Sequence, residues 1–438
     1  MSGLPTLSRA HLQWPPASGP TRVLQLGEGR FLRSFAAPLL AEMAQSEPFR
    51  VLMTNMRPQG SDAIRGMKRQ DGLYMVMLAD TRGREDCLVS WVDPADVSED
   101  WEDLASAAGC RDCQLFLTNG TEASMQGTTR ETWPDPPGET LVERLVLLLK
   151  ERWRLNPDAP LIILPTELVP NNGQRLKQLV CETAARWEAN GPFATWLEDG
   201  PHFLNTLVDR IVVGTPGDIR RYWDEWGYVD HYASLAERYG RWWIEGLPEL
   251  FAAFPLHRVP GVELVTDIQP YESLKLFLLN GAHVGIAALG VLRHHATVQE
   301  AMEDSEIRNW VEDYWRVAAV AVPLPRPEVE RFLVGLRHRF RNPAIPHRLI
   351  DIAQNLPMKW RVRVAPVIQH WWTSQGDVPR TLAQLTRAVG LSIGGASVEE
   401  VPQLLWGEGF PNEPPWAARL AVVMADSWGP EAPDRIGT

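Results

Sequence analysis

The sequence predicts an α/β protein in two parts: a doubly wound parallel sheet within residues 1–265, then a mainly α-helical domain over 266–438. Three observations point there. Short apolar runs alternate with helical stretches as far as about residue 170, the pattern of repeated strand–helix units. The first run, Val23-Leu24-Gln25-Leu26, passes straight into Gly27-Glu28-Gly29 and a helix. From Tyr271 onward the apolar spacing becomes mainly helical. A chain of 438 residues also exceeds the size at which one core usually stops growing, so two domains are expected.

In chain order, the expected strands are Val23 to Leu26, Val51 to Thr54, Tyr74 to Leu78, Leu115 to Thr118 and Leu161 to Leu164. After the first, Gly27 suits a tight turn and Gly29 lets backbone approach a pyrophosphate. The helix that follows, about Phe31 to Ala44, points its amide dipole at such an anion. Leu32 stands where a third glycine would complete a dinucleotide fingerprint, and an ordinary strand-to-helix turn has the same pattern. After the second strand the acid that would hold a ribose 2′-hydroxyl is missing, and Asn55, Met56 and Arg57 stand there. Arg57 suits the 2′-phosphate of NADP, whereas an amide or backbone contact at Asn55 serves NAD.

The fourth and fifth strands run into Thr118-Asn119-Gly120-Thr121-Glu122 and Pro165-Thr166-Glu167-Leu168, so polar loops leave the carboxyl edge of the sheet, where ligands bind. Candidate cofactor contacts are therefore Gly27, Glu28, Gly29, Arg30, Phe31, Asn55, Arg57, Asn119, Thr121 and Glu122. Pro134 to Pro137 interrupts the chain before an amphipathic helix over roughly Glu139 to Trp153. In the second part the clearer helices are Glu300 to Ala321, Glu328 to Arg339 and Leu382 to Val389.

In Lys275-Leu-Phe-Leu-Leu-Asn280-Gly-Ala-His283 an amine, an amide and an imidazole lie in an apolar run. On an α-helix the three project at about 0°, 140° and 80°, with His283 between the others, so they can share one pocket. Burial disfavours the charged amine and moves its proton affinity toward the range useful for acid–base work at a carbonyl or carbinol oxygen, without a metal. The same residues also fit a structural role: Lys275 extending its amine to water, His283 satisfied in the core, and Asn280-Gly281 ending a helix.

A composition of 45% hydrophobic and 22% charged residues is that of an ordinary globule. A net charge of -12 with a pI near 5.4 argues against nucleic-acid or anionic-membrane partners. Residues 1–20 lack a basic start followed by an apolar core, and no later apolar run is expected to reach transmembrane length, so a cytoplasmic location is expected. Four cysteines are too few for a disulfide framework. Cys110 and Cys113 form a CxxC without a second pair or a nearby histidine, so thiols are expected and no metal. Nineteen tryptophans suit cores and interfaces. Oligomeric state is open, because an apolar helix face looks alike over its own core or a neighbour.

Several stretches, in order over about residues 20 to 366, resemble the polyol-specific long-chain dehydrogenases, which include mannitol 2-dehydrogenase, fructuronate reductase and tagaturonate reductase. They are Leu26-Gly-Glu-Gly-Arg-Phe-Leu-Arg33, Gln70-Asp-Gly-Leu-Tyr74, Thr121-Glu-Ala123, Val208-Asp-Arg-Ile211, Lys275 with Asn280 and His283, and Arg339-Phe-Arg-Asn-Pro343 followed by Lys359. Thr166-Glu-Leu168, Asn172-Gly173, Asp267-Ile-Gln-Pro-Tyr271 and the stretch from Asn355 to Arg363 are most similar to the tagaturonate reductase (altronate oxidoreductase) subgroup. The resemblance implies a Rossmann-like first domain and a metal-free, reversible, NAD-linked reduction of a keto-hexuronate, tagaturonate to altronate. NADP is not excluded. Fructuronate, or mannitol or another polyol, is the alternative substrate; outside enzymes, the alternative is a catalytically silent nucleotide-binding protein.

By the same resemblance Lys275 is the general acid and base, Asn280 donates to the reacting oxygen, and His283 orients the substrate or the lysine. Asp209 relays protons or pairs internally with Arg210, and Arg341, Asn342 and Lys359 bind the substrate chain. Two positions depart from the mannitol dehydrogenases: Leu168 replaces a second active-site asparagine, so the oxyanion site is either one-sided or completed by another donor such as Asn172, and Asp351 replaces an arginine. Beyond Trp371 the resemblance fades.

Overall fold

The structure, a computed structural model, describes residues 3–188, 191–394, 401, 405 and 414–426. The chain divides into two compact units, Met1–Ile268 and Gln269–Thr438.

The first unit contains thirteen strands among its described residues: β1 (Thr21–Leu26), β2 (Arg50–Thr54), β3 (Tyr74–Asp80), β4 (Gly83–Val89), β5 (Val92–Ala95), β6 (Leu115–Thr118), β7 (Ile162–Pro165), β8 (His202–Phe203), β9 (Thr206–Asp209), β10 (Val212–Gly214), β11 (Ser234–Glu237), β12 (Arg241–Glu245) and β13 (Val262–Val265). Six of them form an all-parallel sheet in the order β5-β2-β1-β6-β7-β8. Successive residues of a strand face opposite sides, and both sides here are apolar. Val23, Val51, Met53, Leu115 and Leu117 join one core, under Leu32, Phe35 and Leu40 of the helix Arg30–Ser46. Leu24, Leu26, Phe116 and Ile163 join another, under the helices Trp101–Gly109, Leu141–Leu155 and Asn172–Trp187. This is the doubly wound Rossmann-like arrangement that the sequence predicts. Chain order runs outward from β1 to β2 on one side and from β6 to β7 on the other, so the connections part company between β1 and β6. A crevice opens at such a switch point.

The strand expected at Tyr74 does not belong to this sheet. It forms β3 of a four-stranded sheet ordered β10-β11-β3-β4, antiparallel to β4 and parallel to β11. Only Thr81 and Arg82 separate β3 from β4, a connection that closes an antiparallel hairpin but is too short for a parallel crossover. The parallel partner of β2 is instead the short β5. A third sheet, β13-β12-β9, lays Val208, Trp242, Ile244 and Val262 on the first core.

Among its described residues the second unit is helical, apart from one isolated bridge between Thr297 and Arg348. Its core is built around Gly281–Leu292, in which nine of twelve residues are buried. One expectation is corrected here: the helical run Gln269–Leu292, 24 residues with a mean hydropathy of 1.6 over its most apolar stretch, is long and apolar enough to cross a membrane, and 67% of that stretch is buried in the protein. The helix expected over Glu300 to Ala321 breaks at Asp304. There the backbone turns extended and the carboxylate caps the next helix, Ser305–Ala318, accepting from Glu306 N–H at 2.8 Å.

Candidate active site

At the switch point of the first unit, Gly27 has φ +132°, and a side chain there would put its Cβ 2.8 Å from the Asn119 carbonyl oxygen. The turn therefore needs glycine on conformation and on space. Gly29 precedes the helix Arg30–Ser46, caps it with no side chain, and has open space where a Cβ would stand. The first amides of that helix face an uncrowded approach, which fits a pyrophosphate. Glu28 accepts from the Ser61 hydroxyl at 3.0 Å. Arg30 is exposed, and Phe31 stacks on Phe35 at 5.1 Å between centroids.

The loop after β2 differs from its sequence reading. Asn55 is fully buried; its amide donates to the Arg57 carbonyl and accepts from Val97 N–H, so the side chain shapes the loop. Arg144, also fully buried, donates to the carbonyls of Met56 (2.9 Å) and Asn55. Arg57 is exposed.

After β6, Asn119 donates to Thr166 Oγ1 at 2.9 Å and Thr121 is exposed. Glu122 begins a short 3-10 turn, and its side chain lies outside the described residues. The buried Glu167 accepts from Thr118 Oγ1 and Gly120 N–H, both at 2.9 Å, and burial pushes its carboxyl up from the usual range.

Asn172 is corrected as well. Its amide donates to the carbonyls of Pro165, Glu167 and Thr206 and accepts from Thr206 N–H, so it ties β7 to β9 and cannot complete an oxyanion site. Leu168 is 67% exposed. Asp209, buried, ends β9 opposite Arg241, while the neighbouring Arg210 directs its guanidinium to the carbonyls of Ser34 (2.7 Å) and Tyr239 (3.0 Å).

In the helical unit, Lys275 is buried, at 9% exposure, on Leu274–Asn280, a stretch wound as π-helix in which Gly281 N–H reaches back five residues to the Leu276 carbonyl. With α-helical winding, a five-residue step turns Asn280 about 140° away from Lys275. An i→i+5 turn, at about 4.4 residues per turn, narrows that angle to about 50°. His283 follows Asn280 by three residues in the regular helix Gly281–Leu292, on the same face. The π turn thus sets Lys275, Asn280 and His283 closer in angle around the helical run than α winding does, and the helix does not end at Asn280-Gly281.

Two consecutive residues of Ser305–Ala318 hold this turn. The Tyr314 hydroxyl donates to the Phe277 carbonyl at 2.8 Å, and Trp315 Nε1 donates to the Leu278 carbonyl at 2.9 Å, satisfying acceptors that the irregular winding displaces. A Cβ on Gly281 would lie 2.0 Å from the Tyr314 oxygen.

His283 stacks on Phe340 (4.6 Å between centroids) and meets His347 edge to face (4.9 Å, 86°). Burial, then the nearby His347, Arg339, Arg363 and Lys359, hold its imidazole well below the usual proton affinity. Burial likewise lowers His347, to about 4, and lowers Lys359 and Arg363. Lys359 donates to the Ile352 carbonyl at 2.7 Å. Asn342 is buried and accepts from Ala344 N–H, whereas Arg341 is exposed at the end of Arg326–Phe340. Of the substrate positions implied by resemblance, Lys359 therefore lies in the cationic surroundings of His283. Arg339, Arg363 and His347 share those surroundings without having been assigned. Among the described residues no cluster could hold a metal ion, and all four cysteines are free thiols.

The mannitol dehydrogenase Rossmann domain family matches residues 21–253, and the mannitol dehydrogenase C-terminal domain family matches residues 267–391. An altronate oxidoreductase of Cronobacter sakazakii is 32% identical over 429 residues, covering 95% of this chain and 87% of that protein. One from Escherichia coli is 32% identical over 401 residues, covering 89% and 82%. Among solved structures, a Pseudomonas fluorescens mannitol 2-dehydrogenase in ternary complex with NAD and D-mannitol superposes with a TM-score of 0.75 at 19% identity, over 96% of each chain. A substrate-free D-sorbitol dehydrogenase superposes with a TM-score of 0.75 at 18% identity, also over 96% of each.

Proposed function

The chain belongs to the mannitol dehydrogenase family of oxidoreductases, and from that premise we propose that it is an NAD-dependent reductase of a keto-hexuronate, taking tagaturonate to altronate, in the cytoplasm. The observation that carries the choice of a sugar acid over a neutral polyol is the cationic setting of His283: Arg339, Lys359 and Arg363 all bear on one buried imidazole. A substrate carboxylate is a favourable partner for such donors. The altronate oxidoreductases of similar sequence support the same choice.

Gly27 and Gly29, with the open helix start behind them, would hold the NAD pyrophosphate. Glu28, Arg30, Phe31, Asn119, Thr121 and Glu122 are assigned to the rest of the cofactor by the same reading, and Asn55 shapes the loop that carries Arg57. When bound, the reduced cofactor NADH would supply the hydride to the ketone carbon, and its oxidised form would receive it in the reverse direction. Lys275 delivers a proton to the ketone oxygen during reduction and withdraws it from the alcohol during oxidation. Asn280 donates its amide hydrogen to that oxygen as negative charge develops there. His283, kept neutral by burial and by its cationic neighbours, orients the chain. Asp209 relays protons, and Arg341, Asn342 and Lys359 contribute to substrate binding.

The test is a panel of tagaturonate, fructuronate and fructose with NADH and with NADPH, followed at the nicotinamide absorbance. Tagaturonate with NADH is expected to be fastest; fructose as the best substrate would overturn the assignment. Lys275→Met should abolish turnover while leaving NADH affinity nearly unchanged, and full activity in that variant removes Lys275 from proton transfer. Cofactor binding with no turnover on any sugar acid would favour a silent nucleotide-binding protein.

A further inference from the structure

His347 has no role in the chemistry above, yet it is held like a ligand contact. It lies between the helices Arg326–Phe340 and Leu349–Ala353, and its backbone is fixed from both sides: its carbonyl accepts from Val298 N–H at 3.0 Å, and the next residue but one, Leu349, donates to Ala296 at 2.9 Å. Its ring is fixed by the edge-to-face contact with His283, which is itself clamped on Phe340. Each imidazole keeps one buried nitrogen without a partner in the protein, Nε2 of His283 and Nδ1 of His347. Unmet nitrogens on two rings whose centroids lie 4.9 Å apart call for a polar partner, which a substrate can bring.

We propose that His347 is a second substrate-binding imidazole, which with His283 takes a pair of neighbouring hydroxyls on the polyhydroxy chain of the sugar acid. The reductase reading supplies that substrate. A neutral imidazole nitrogen is a donor or an acceptor according to tautomer, and a hydroxyl, being both, satisfies either. A carboxylate accepts only. It pairs with groups that donate only, which are Arg339, Lys359 and Arg363 in the surroundings of His283. The helical unit thus divides the substrate: cations for the acid end, a neutral imidazole pair for the hydroxyls. Low proton affinity of both rings keeps the pair neutral at physiological pH.

The proposal is tested on the full chain. His347→Phe keeps a ring against His283 and removes the nitrogen. It is expected to raise the KM for tagaturonate about tenfold, the loss of one neutral hydrogen bond, with kcat and NADH affinity little changed. His347→Gln restores a polar group and should recover part of that loss. Independently of turnover, nitrogen-15 imidazole spectra of the NAD-loaded protein should show the His283 and His347 ring signals shifting with sodium D-altronate and not with sodium acetate. A wild-type KM in His347→Phe, or ring signals unmoved by altronate in a protein that turns tagaturonate over, overturns the proposal while leaving the reductase standing. Ring signals that move with altronate in a protein that reduces no keto-hexuronate retain the imidazole pair and overturn the reductase.

Discussion

Tyr314→Phe tests whether the π turn sets the catalytic geometry. Tyr314 is fully buried, and its hydroxyl is 2.8 Å from the Phe277 carbonyl. Deleting the oxygen removes a buried hydrogen bond and leaves the carbonyl facing a ring, at a cost of about 1–3 kcal/mol. For a unit the size of residues 269–438, a loss of about 2 kcal/mol lowers the melting temperature by roughly 4–8 °C. If the turn then rewinds as α-helix, one residue of slippage rotates Lys275 against Asn280 by about 100°. Misdirecting the amide donor in this way should lower kcat about 100-fold, as removing an oxyanion donor does. The assays are thermal unfolding by circular dichroism, NADH oxidation with tagaturonate, and NADH binding by fluorescence, the last unaffected. Trp315→Phe deletes the neighbouring bond to Leu278 and should behave alike. A variant that melts early yet keeps its kcat would show that the winding of this turn does not position the chemistry, and the reasoning would fall.

Gly27→Ala places a Cβ 2.8 Å from the Asn119 carbonyl at a φ of +132°, so NADH affinity should fall by more than about tenfold, read by fluorescence titration. Asn172→Leu strips β7 and β9 of their shared amide and should cost about 1–3 kcal/mol of stability in denaturant titration. Its folded fraction should keep a normal kcat, and a specific loss of kcat would return Asn172 to the chemistry. The fourth expectation concerns pH. His347 binds its proton less tightly in the folded chain, at about 4, than in the unfolded chain, near 6.5. Its share of stability is therefore complete above 6.5 and is lost as pH falls toward 4, by roughly 3 kcal/mol in all. Melting temperatures followed downward from neutral pH should show that decline in the wild type and a shallower one in His347→Phe.

The parallel sheet was legible because each of its longer strands is apolar on both faces. Val23 and Leu24 enter different cores, and a continuous apolar run is the only pattern that serves both. The strand at Tyr74 carries the same signal, and its membership of another sheet lay in the two-residue turn that follows it. Lys275, Asn280 and His283 could be named from composition alone, but their geometry could not. The apolar spacing around Lys275 suits α and π winding equally, and the donors that select π winding, Tyr314 and Trp315, lie 37 residues away from the carbonyls they hold. Asn172 misled for a related reason: its amide is consumed by Thr206, 34 residues on. Arg339, Arg363 and His347 come together only once three helices are packed, so no local spacing announces them.

The helix that carries Lys275 also imposes an order on biosynthesis. Gln269–Leu292 leaves the ribosome before every other helix of its unit, and insertion machinery judges an emerging segment by its length, its hydropathy and its charges. Until its later-made neighbours are synthesised, the nascent chain displays an apolar segment of membrane-spanning length. Glu272 and Lys275 weigh against the bilayer. The amine proposed to move a proton in the finished enzyme would already have helped to keep the unfinished chain out of the membrane.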